Sequence, residues 1–550
     1  MFLPRLSVLL LSCSIAAPAL AAKDDASADA AAEADSQTIV VTGQREEYGA
    51  RSTRSATRTD TDLKDIPQAL TVISESQIED QALRSIADVL TYVPGATPGT
   101  GEGNRDQITL RGNNTTADFF VDGIRDDVQY FRDLYNADRV EVLRGPNAMI
   151  FGRGGGGGIV NRVTKRSSIN PYSEFSLLAD SRGGVRFTSD VDHPLAPNAG
   201  VRINGVYENG ESFRRDVELE RYAVNPTLGL TFGSGTRIDL SYEYLRDWRT
   251  ADRGVPSLSD GNAATVDRPL AGADELFFGD PEDSFSRAKV HLATLGVEHA
   301  LSEELTVRNR TLFGDYDKFY QNIYPNGPAT GGQFRLSAYS DETQRENLFS
   351  QTDFVWENRL AGIEQTLLLG FEIGRQKGHN QRRNGVFLGR PGTPASINVP
   401  IASPTVDENI EFRANGANNN SEASVAAFYV QDQIRLSRAF EIVAGLRFDR
   451  FGLDIDNLAN GRSFSRIEEL LSPRLGLIVK PVQNLSLYAS YGRSYLPSAG
   501  DQFNSLDLTA QALKPEKFDN YELGAKWEPV RRMRVGSVGS IARVLVRSSW

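Results

Sequence analysis

The run Gly152-Arg153-Gly154-Gly155-Gly156-Gly157-Gly158 contains a literal G-x-G-x-x-G, and Glu174 stands about where a ribose-binding acid would. In a dinucleotide site those glycines bring the backbone against a pyrophosphate at a helix N-terminus. Here they lead into Ile159-Val160-Asn161-Arg162-Val163, a strand-like run, and no Gly-Lys-Ser/Thr follows. The glycines therefore read as tight packing of one unit against a wall. The four histidines, His193, His291, His299 and His379, are dispersed, and with the only cysteine at Cys13 they form no local metal-ligand cluster. Asp122, Asp126 and Asp127 lack the spacing of a calcium loop and have Arg125 among them, so they read as paired surface charges. No nucleophile elbow, zinc-protease motif or Ser/His/Asp set can be asserted, which argues against an enzyme.

The elements around these residues set the context. The chain has 550 residues, too many for one compact soluble core. Residues 1–22 read as a signal peptide: Arg5, an apolar run Leu6–Leu11, then Ala19-Leu20-Ala21. Cys13 lies inside it, so disulfides are excluded as a scaffold of the mature chain. No later run reaches the ~18 apolar residues of a membrane helix, and the mean hydropathy is −0.36. A net charge of −12 argues against a nucleic-acid partner. Residues 23–61 read as a flexible arm carrying the β-branched segment Thr38-Ile39-Val40-Val41-Thr42-Gly43, able to add as a strand to a partner's sheet edge. Residues 62–165 read as a small mixed α/β unit, with Ser74-x-x-Gln77 as a capping box, a helix through Ile86–Leu90, and strands at Ile108–Arg111, Asp118–Val121 and Arg139–Leu143.

From 172 to 529 the texture is a series of alternating strands. Ile238, Leu240, Tyr242 and Tyr244 share one face and Asp239, Ser241 and Glu243 the other. A soluble sandwich has the same period, so connection lengths decide. Roughly fourteen candidate strands are joined by links that alternate between short and long, as in an outer-membrane β-barrel. The short links lie near Phe232–Thr236, Ala300–Leu305, Arg359–Ile363, Leu436–Phe440 and Lys480–Leu485. The long ones lie near Arg246–Phe285, Tyr316–Thr343, Gly378–Glu422, Gly452–Leu470 and Gly492–Phe518.

Several runs resemble the plug of TonB-dependent siderophore receptors: Asp65–Ile73, Asp88–Leu90 to Val93-Pro94-Gly95, Leu110-Arg111-Gly112, Phe120–Asp127, Tyr130–Asp133, Val142–Pro146 and Phe151–Gly154. Asp280–Phe285, Ser472-Pro473-Arg474, Leu513–Glu516 and Tyr521–Gly524 are similar to that family's barrel motifs. The resemblance spans roughly Thr38 to Trp527 and is greatest to catecholate receptors. It implies a transmembrane antiparallel β-barrel with an N-terminal mixed α/β plug, in the outer membrane of a Gram-negative bacterium, inserted by the assembly machinery and surrounded by outer-membrane lipid. The implied function is TonB-dependent uptake of a ferric siderophore; a ferric hydroxamate remains open as ligand, and a passive porin-like barrel is the competing class. Iron arrives already chelated, so no cofactor and no metal ligand is expected.

The resemblance assigns Thr38–Gly43 as the TonB box. It assigns Arg105, Tyr130 and Phe131 to ligand capture at the plug apex, where Arg pairs with anions and rings stack. It assigns Arg111 and Arg144 to ion pairs with the barrel wall, with Glu522 the one identifiable partner. Family barrels have about 22 strands, whereas roughly fourteen are reached here by Trp527. Residues 530–550 read as an aberrant tail, as a truncated or frameshifted gene would give, and a barrel so shortened is expected not to transport.

Overall fold

The computed structural model describes residues 48–549 except 234, 262–266, 361, 498–513 and 529–538. The leader and the TonB box lie outside the described residues. Among the described residues no helix is long and apolar enough to cross a membrane.

The first unit is built on two small sheets. One has five strands in the order Leu70–Ser74, Ala137–Arg144, Gly158–Thr164, Phe119–Val121 and Ile124–Arg125, antiparallel except for the pair Gly158–Thr164 with Phe119–Val121. The other joins Ala96–Pro98, Ile108–Leu110 and Asn113–Thr115. Two short helices cover one face. Glu75–Asp80 is capped by Ser74, whose hydroxyl accepts the Gln77 N–H at 3.3 Å. The reciprocal capping box lies instead at the second helix, Ile86–Leu90, where Ser85 and Asp88 exchange both bonds at 3.2 and 3.0 Å. Ile86, Val89 and Leu90 share the inner face of this helix and pack on Val140, Val142 and Val160 of the sheet. Burying each contributes about 1.5–3 kcal/mol.

The wall is a 16-stranded antiparallel sheet. Fourteen of its consecutive strands run from Tyr172–Ala179 to Glu516–Trp527. Burial along them is inverted relative to a soluble protein. Leu446 and Phe448 are 42% and 41% exposed, while Arg447 and Asp449, which alternate with them, are 0% and 3%. Leu240 and Tyr242 are likewise exposed and Asp239 and Glu243 buried. A sheet with its apolar face out and its charges in is stable only with lipid outside and a polar filling inside.

Three expectations are corrected. First, the expected long links at 316–343, 378–422 and 452–470 are largely strand. Leu305–Pro325, Gln333–Leu360, Ile363–Phe387 and Ile410–Ser437 reach 21 to 28 residues, where a bilayer needs about 9–11. Backbone pairing continues past the membrane, where side chains no longer have to be apolar. Second, the arm does not stay free up to 61. Ser52–Thr53 pairs with Thr61–Asp62, and Ala56, Thr57, Arg58 and Thr59 are buried. Gln431 donates to the Thr57 carbonyl at 2.9 Å and Arg474 to that of Ala56 at 2.6 Å, so the wall fixes this segment. Third, the stretch expected as an aberrant tail holds the strand Gly539–Ser549, antiparallel to Glu516–Trp527. An outer strand offers a free ladder of N–H and C=O groups, and this stretch has no proline to interrupt pairing. Among the described residues, Gly539–Ser549 and Tyr172–Ala179 are the two outer strands and do not pair with each other.

Candidate functional site

The glycine run does what its flanking strand requires. A Cβ at Gly156 would collide with the Phe518 ring of the wall, and one at Gly158 with the Leu143 carbonyl of the neighbouring strand. Only glycine lets the first unit's sheet approach the wall this closely.

Charges bind the unit to the wall at many points. Glu522 accepts from Arg111 Nη2 at 2.8 Å, from the Ala69 N–H at 2.8 Å and from the Tyr488 hydroxyl at 2.6 Å. Arg144 is not paired with it: its Nη1 donates to the Pro94 carbonyl at 2.8 Å and its Nη2 to Thr71 Oγ1 at 3.4 Å. Asp133 is wholly buried and gripped by Arg186 at 2.8 Å and Arg221 at 2.5 Å, from two wall strands with one other between them. Burial would raise its carboxyl, but Arg186 and Arg221 hold it below the usual carboxylate range. Arg162 pairs with Glu243 at 2.9 Å, Lys165 with Asp190 at 2.8 Å and Asp65 with Lys480 at 2.7 Å. Asp126 and Asp127, read from sequence as surface charges, are buried too. Asp126 accepts from Arg132, Tyr130 and Tyr316, and Asp127 meets Arg153 at 3.2 Å and Arg345 at 3.5 Å.

Of the three residues assigned to capture, Tyr130 is corrected. It is 2% exposed, with its hydroxyl on Asp126 at 2.8 Å and the Arg132 guanidinium 4.3 Å from its ring centroid. A ring so enclosed belongs to the core and cannot stack on a ligand. Phe131, next in the chain, faces the other way. It is half-buried under Arg249, 3.8 Å from the ring centroid, and with Arg84, Thr100 and Asp252 it lines a cleft of about 410 Å³. Arg105 is part of a larger assembly that sequence reasoning missed.

That assembly lies where the loop Gly101–Arg105 meets the ends of wall strands on the side of the long links. Glu102 accepts from Arg253 Nη2 at 2.9 Å and from the Tyr339 hydroxyl, and its other oxygen is 3.3 Å from Arg105 Nη2. Arg253 also donates to the hydroxyls of Tyr339 at 2.8 Å and Tyr320 at 3.2 Å, and stacks 3.8 Å over Tyr324. Arg382 stacks 3.8 Å over the Tyr339 ring. Lys318 donates to Asn104, and the Tyr320 hydroxyl donates to the Glu102 carbonyl at 2.9 Å. Burial would raise the Glu102 carboxyl, but Arg105 and then Arg253 hold it at about 2. The signal available in sequence was Tyr316, Tyr320 and Tyr324, evenly spaced and therefore on one strand face, in a stretch that read as loop. The chemistry offered is several guanidiniums and phenol rings at one end of the lumen, a set suited to a bulky anion.

Two family models match the chain: TonB-dependent Receptor Plug Domain over residues 62–159, and TonB dependent receptor-like, beta-barrel over residues 221–539. The chain belongs to the TonB-dependent receptor family. The receptor is thus a transport protein and not an enzyme, and the first unit is its plug. It is 26% identical over 573 aligned residues to the catecholate siderophore receptor Fiu of Escherichia coli K12, covering 94% of this chain and 73% of Fiu. It is 25% identical to the probable TonB-dependent siderophore receptor PiuA of Acinetobacter baumannii, covering 85% of this chain and 66% of PiuA. The crystal structure of the Acinetobacter baumannii siderophore receptor PiuA superimposes with a TM-score of 0.80 at 22% identity, over 88% of this chain and 73% of that one. The closed form of the ferric-catecholate import receptor Fiu from E. coli K12 gives 0.77 at 24% identity, over 88% and 74%.

Proposed function

We propose that the receptor takes up a ferric siderophore of the catecholate type across the outer membrane of a Gram-negative bacterium, driven by the TonB energy-coupling complex. The observation that carries this reading is the cluster of Arg105, Arg253 and Arg382 with Tyr320, Tyr324 and Tyr339 around the plug apex. A ferric catecholate is a large anion with aromatic faces, and guanidiniums and phenols are the groups that pair with such charge and stack on such rings. Iron enters as chelated cargo, so the site supplies no ligand to the metal. The name of Fiu favours the same ligand class, and that of PiuA a siderophore. A plug bolted into the lumen argues against a passive pore.

The test uses cells lacking their own catecholate receptors and expressing this one, with binding and uptake of a radio-iron tris-catecholate measured separately. A strand added to a partner's sheet edge needs its backbone N–H groups, and proline has none. Val40→Pro is therefore expected to abolish uptake and leave surface binding intact. Loss of both together would show that the segment is structural, and an unmodified receptor that neither binds nor imports the chelate would refute the proposal.

A further inference from the structure

We infer that Glu102 is a resident anion that holds the ligand's place at the plug apex, so that the site admits chelates able to exchange negative charge for it and rejects neutral ones. The inference rests on the proposed function and adds to it a residue that sets charge selectivity. Arg253 and Arg105, the guanidiniums best placed to meet an incoming anion, are both engaged with the Glu102 carboxylate. The engagement is built by the backbone. Gly101, Glu102 and Gly103 have φ of 58°, 54° and 73°, a left-handed turn that a non-glycine residue at the centre avoids unless held there. It is held by Tyr320 on its carbonyl and by Tyr339 and Arg253 on its side chain.

The site is nevertheless not saturated. Arg105 Nε is buried with no hydrogen-bond partner. The Glu102 side chain is 35% exposed, so its carboxylate already meets water. An anionic chelate can take over the bonds to Arg253 and Arg105 as Glu102 departs, leaving no buried cation uncompensated. A neutral chelate has no charge to give in exchange, so it leaves Glu102 in place and is not drawn to the guanidiniums. A carboxylate left beside the bound anion also weakens binding by like-charge repulsion, which removal of its charge would relieve.

The experiment measures dissociation constants for the full-length receptor in detergent with two hexadentate iron(III) chelates of similar size, a trianionic tris-catecholamide and a neutral trihydroxamate. Glu102→Gln, which keeps shape and removes charge, is expected to bind the trianionic chelate about tenfold more tightly and the neutral one as before. Glu102→Asp, which keeps the charge, is expected to behave as the unmodified receptor toward the trianionic chelate. Unchanged or weaker binding of the trianionic chelate by Glu102→Gln would overturn the inference, as would an equal change for both chelates. Glu102→Gly relieves the left-handed strain and guards against misfolding of the Gln variant; it should tighten trianionic binding likewise, and failure to do so counts against the inference. If the unmodified receptor bound neither chelate, the receptor reading would fall, and the inference with it; binding of the anion with no response at Glu102 would remove the inference alone.

Discussion

Replacing Asp133 with alanine should loosen the plug by an amount that can be worked out from its contacts. Asp133 is wholly buried, and it meets Arg186 through both oxygens at 2.8 Å and Arg221 at 2.5 Å. Removing one member of a buried ion pair costs about 3–5 kcal/mol, because the partner's charge stays buried. Here Arg186 keeps Glu208 at 2.7 Å and Arg221 keeps Asp247 at 2.7 Å, which places the expected loss at the low end, about 3 kcal/mol. At ~1.4 kcal/mol per decade that is about a hundredfold in the opening equilibrium. Hydrogen exchange of the full-length receptor reads it in the peptides covering Ala137–Arg144, the strand that follows Asp133 in the plug sheet. The pH dependence follows from the sign of the shift. The carboxyl is held below its unfolded value, so its contribution is complete above about pH 4 and is lost only as pH falls through the still lower folded value. The gap between variant and unmodified receptor should therefore be the same at pH 5 and pH 7.5 after correction for intrinsic exchange. Protection within about twofold of the unmodified receptor would refute the reasoning and show that the plug is held elsewhere.

Two further predictions follow from contacts already described. Glu522→Gln keeps an acceptor for the Ala69 N–H and the Tyr488 hydroxyl and loses the charge and the acceptor opposite Arg111, whereas Glu522→Ala strands all three; exchange near Ala69 should quicken about tenfold more in the alanine variant, and equal effects would mean that the ion pair alone matters. Tyr130→Ala empties an enclosed core position, so it should cost about 3–5 kcal/mol of plug stability while leaving the dissociation constant of a ferric tris-catecholate unchanged in the fraction that folds; a selective loss of affinity would return Tyr130 to the ligand site.

The parts of the fold legible in sequence were those governed by strict local period. Alternation through Ile238–Tyr244 and Ile442–Phe448 marks strands because only one pleat face meets lipid, and short polar breaks such as 302–304 mark the turns. Strand ends were not legible, because beyond the membrane both faces of Tyr316–Pro325 and Gln333–Thr343 tolerate polar residues and the period fades while pairing persists. Tyr130 and Phe131 looked alike for a related reason: composition does not say which of two adjacent rings turns inward. The grip on Asp133 was out of reach because its partners lie 53 and 88 positions away, on strands whose register only the folded sheet fixes. Glu102 was passed over as one acid in a glycine-rich link, where nothing local records that Arg253 and Tyr339 come to meet it.

The inverted wall has a consequence for what happens when plug and barrel part. An interface of leucines, once opened, would expose surfaces that water drives back together. Here the two faces carry Asp133 and Arg186, Arg162 and Glu243, Lys165 and Asp190, Asp65 and Lys480. Each of these groups has a hydration shell available to replace its partner, so these parts of the seam wet as they open, while the contacts of Val121, Ile124 and Tyr135 with Leu245, Val290 and Leu312 still adhere. The passage left behind would be lined by the same carboxylates and guanidiniums, already solvated, interrupted by the apolar patch of Leu245, Val290, Leu292, Leu312 and Phe349.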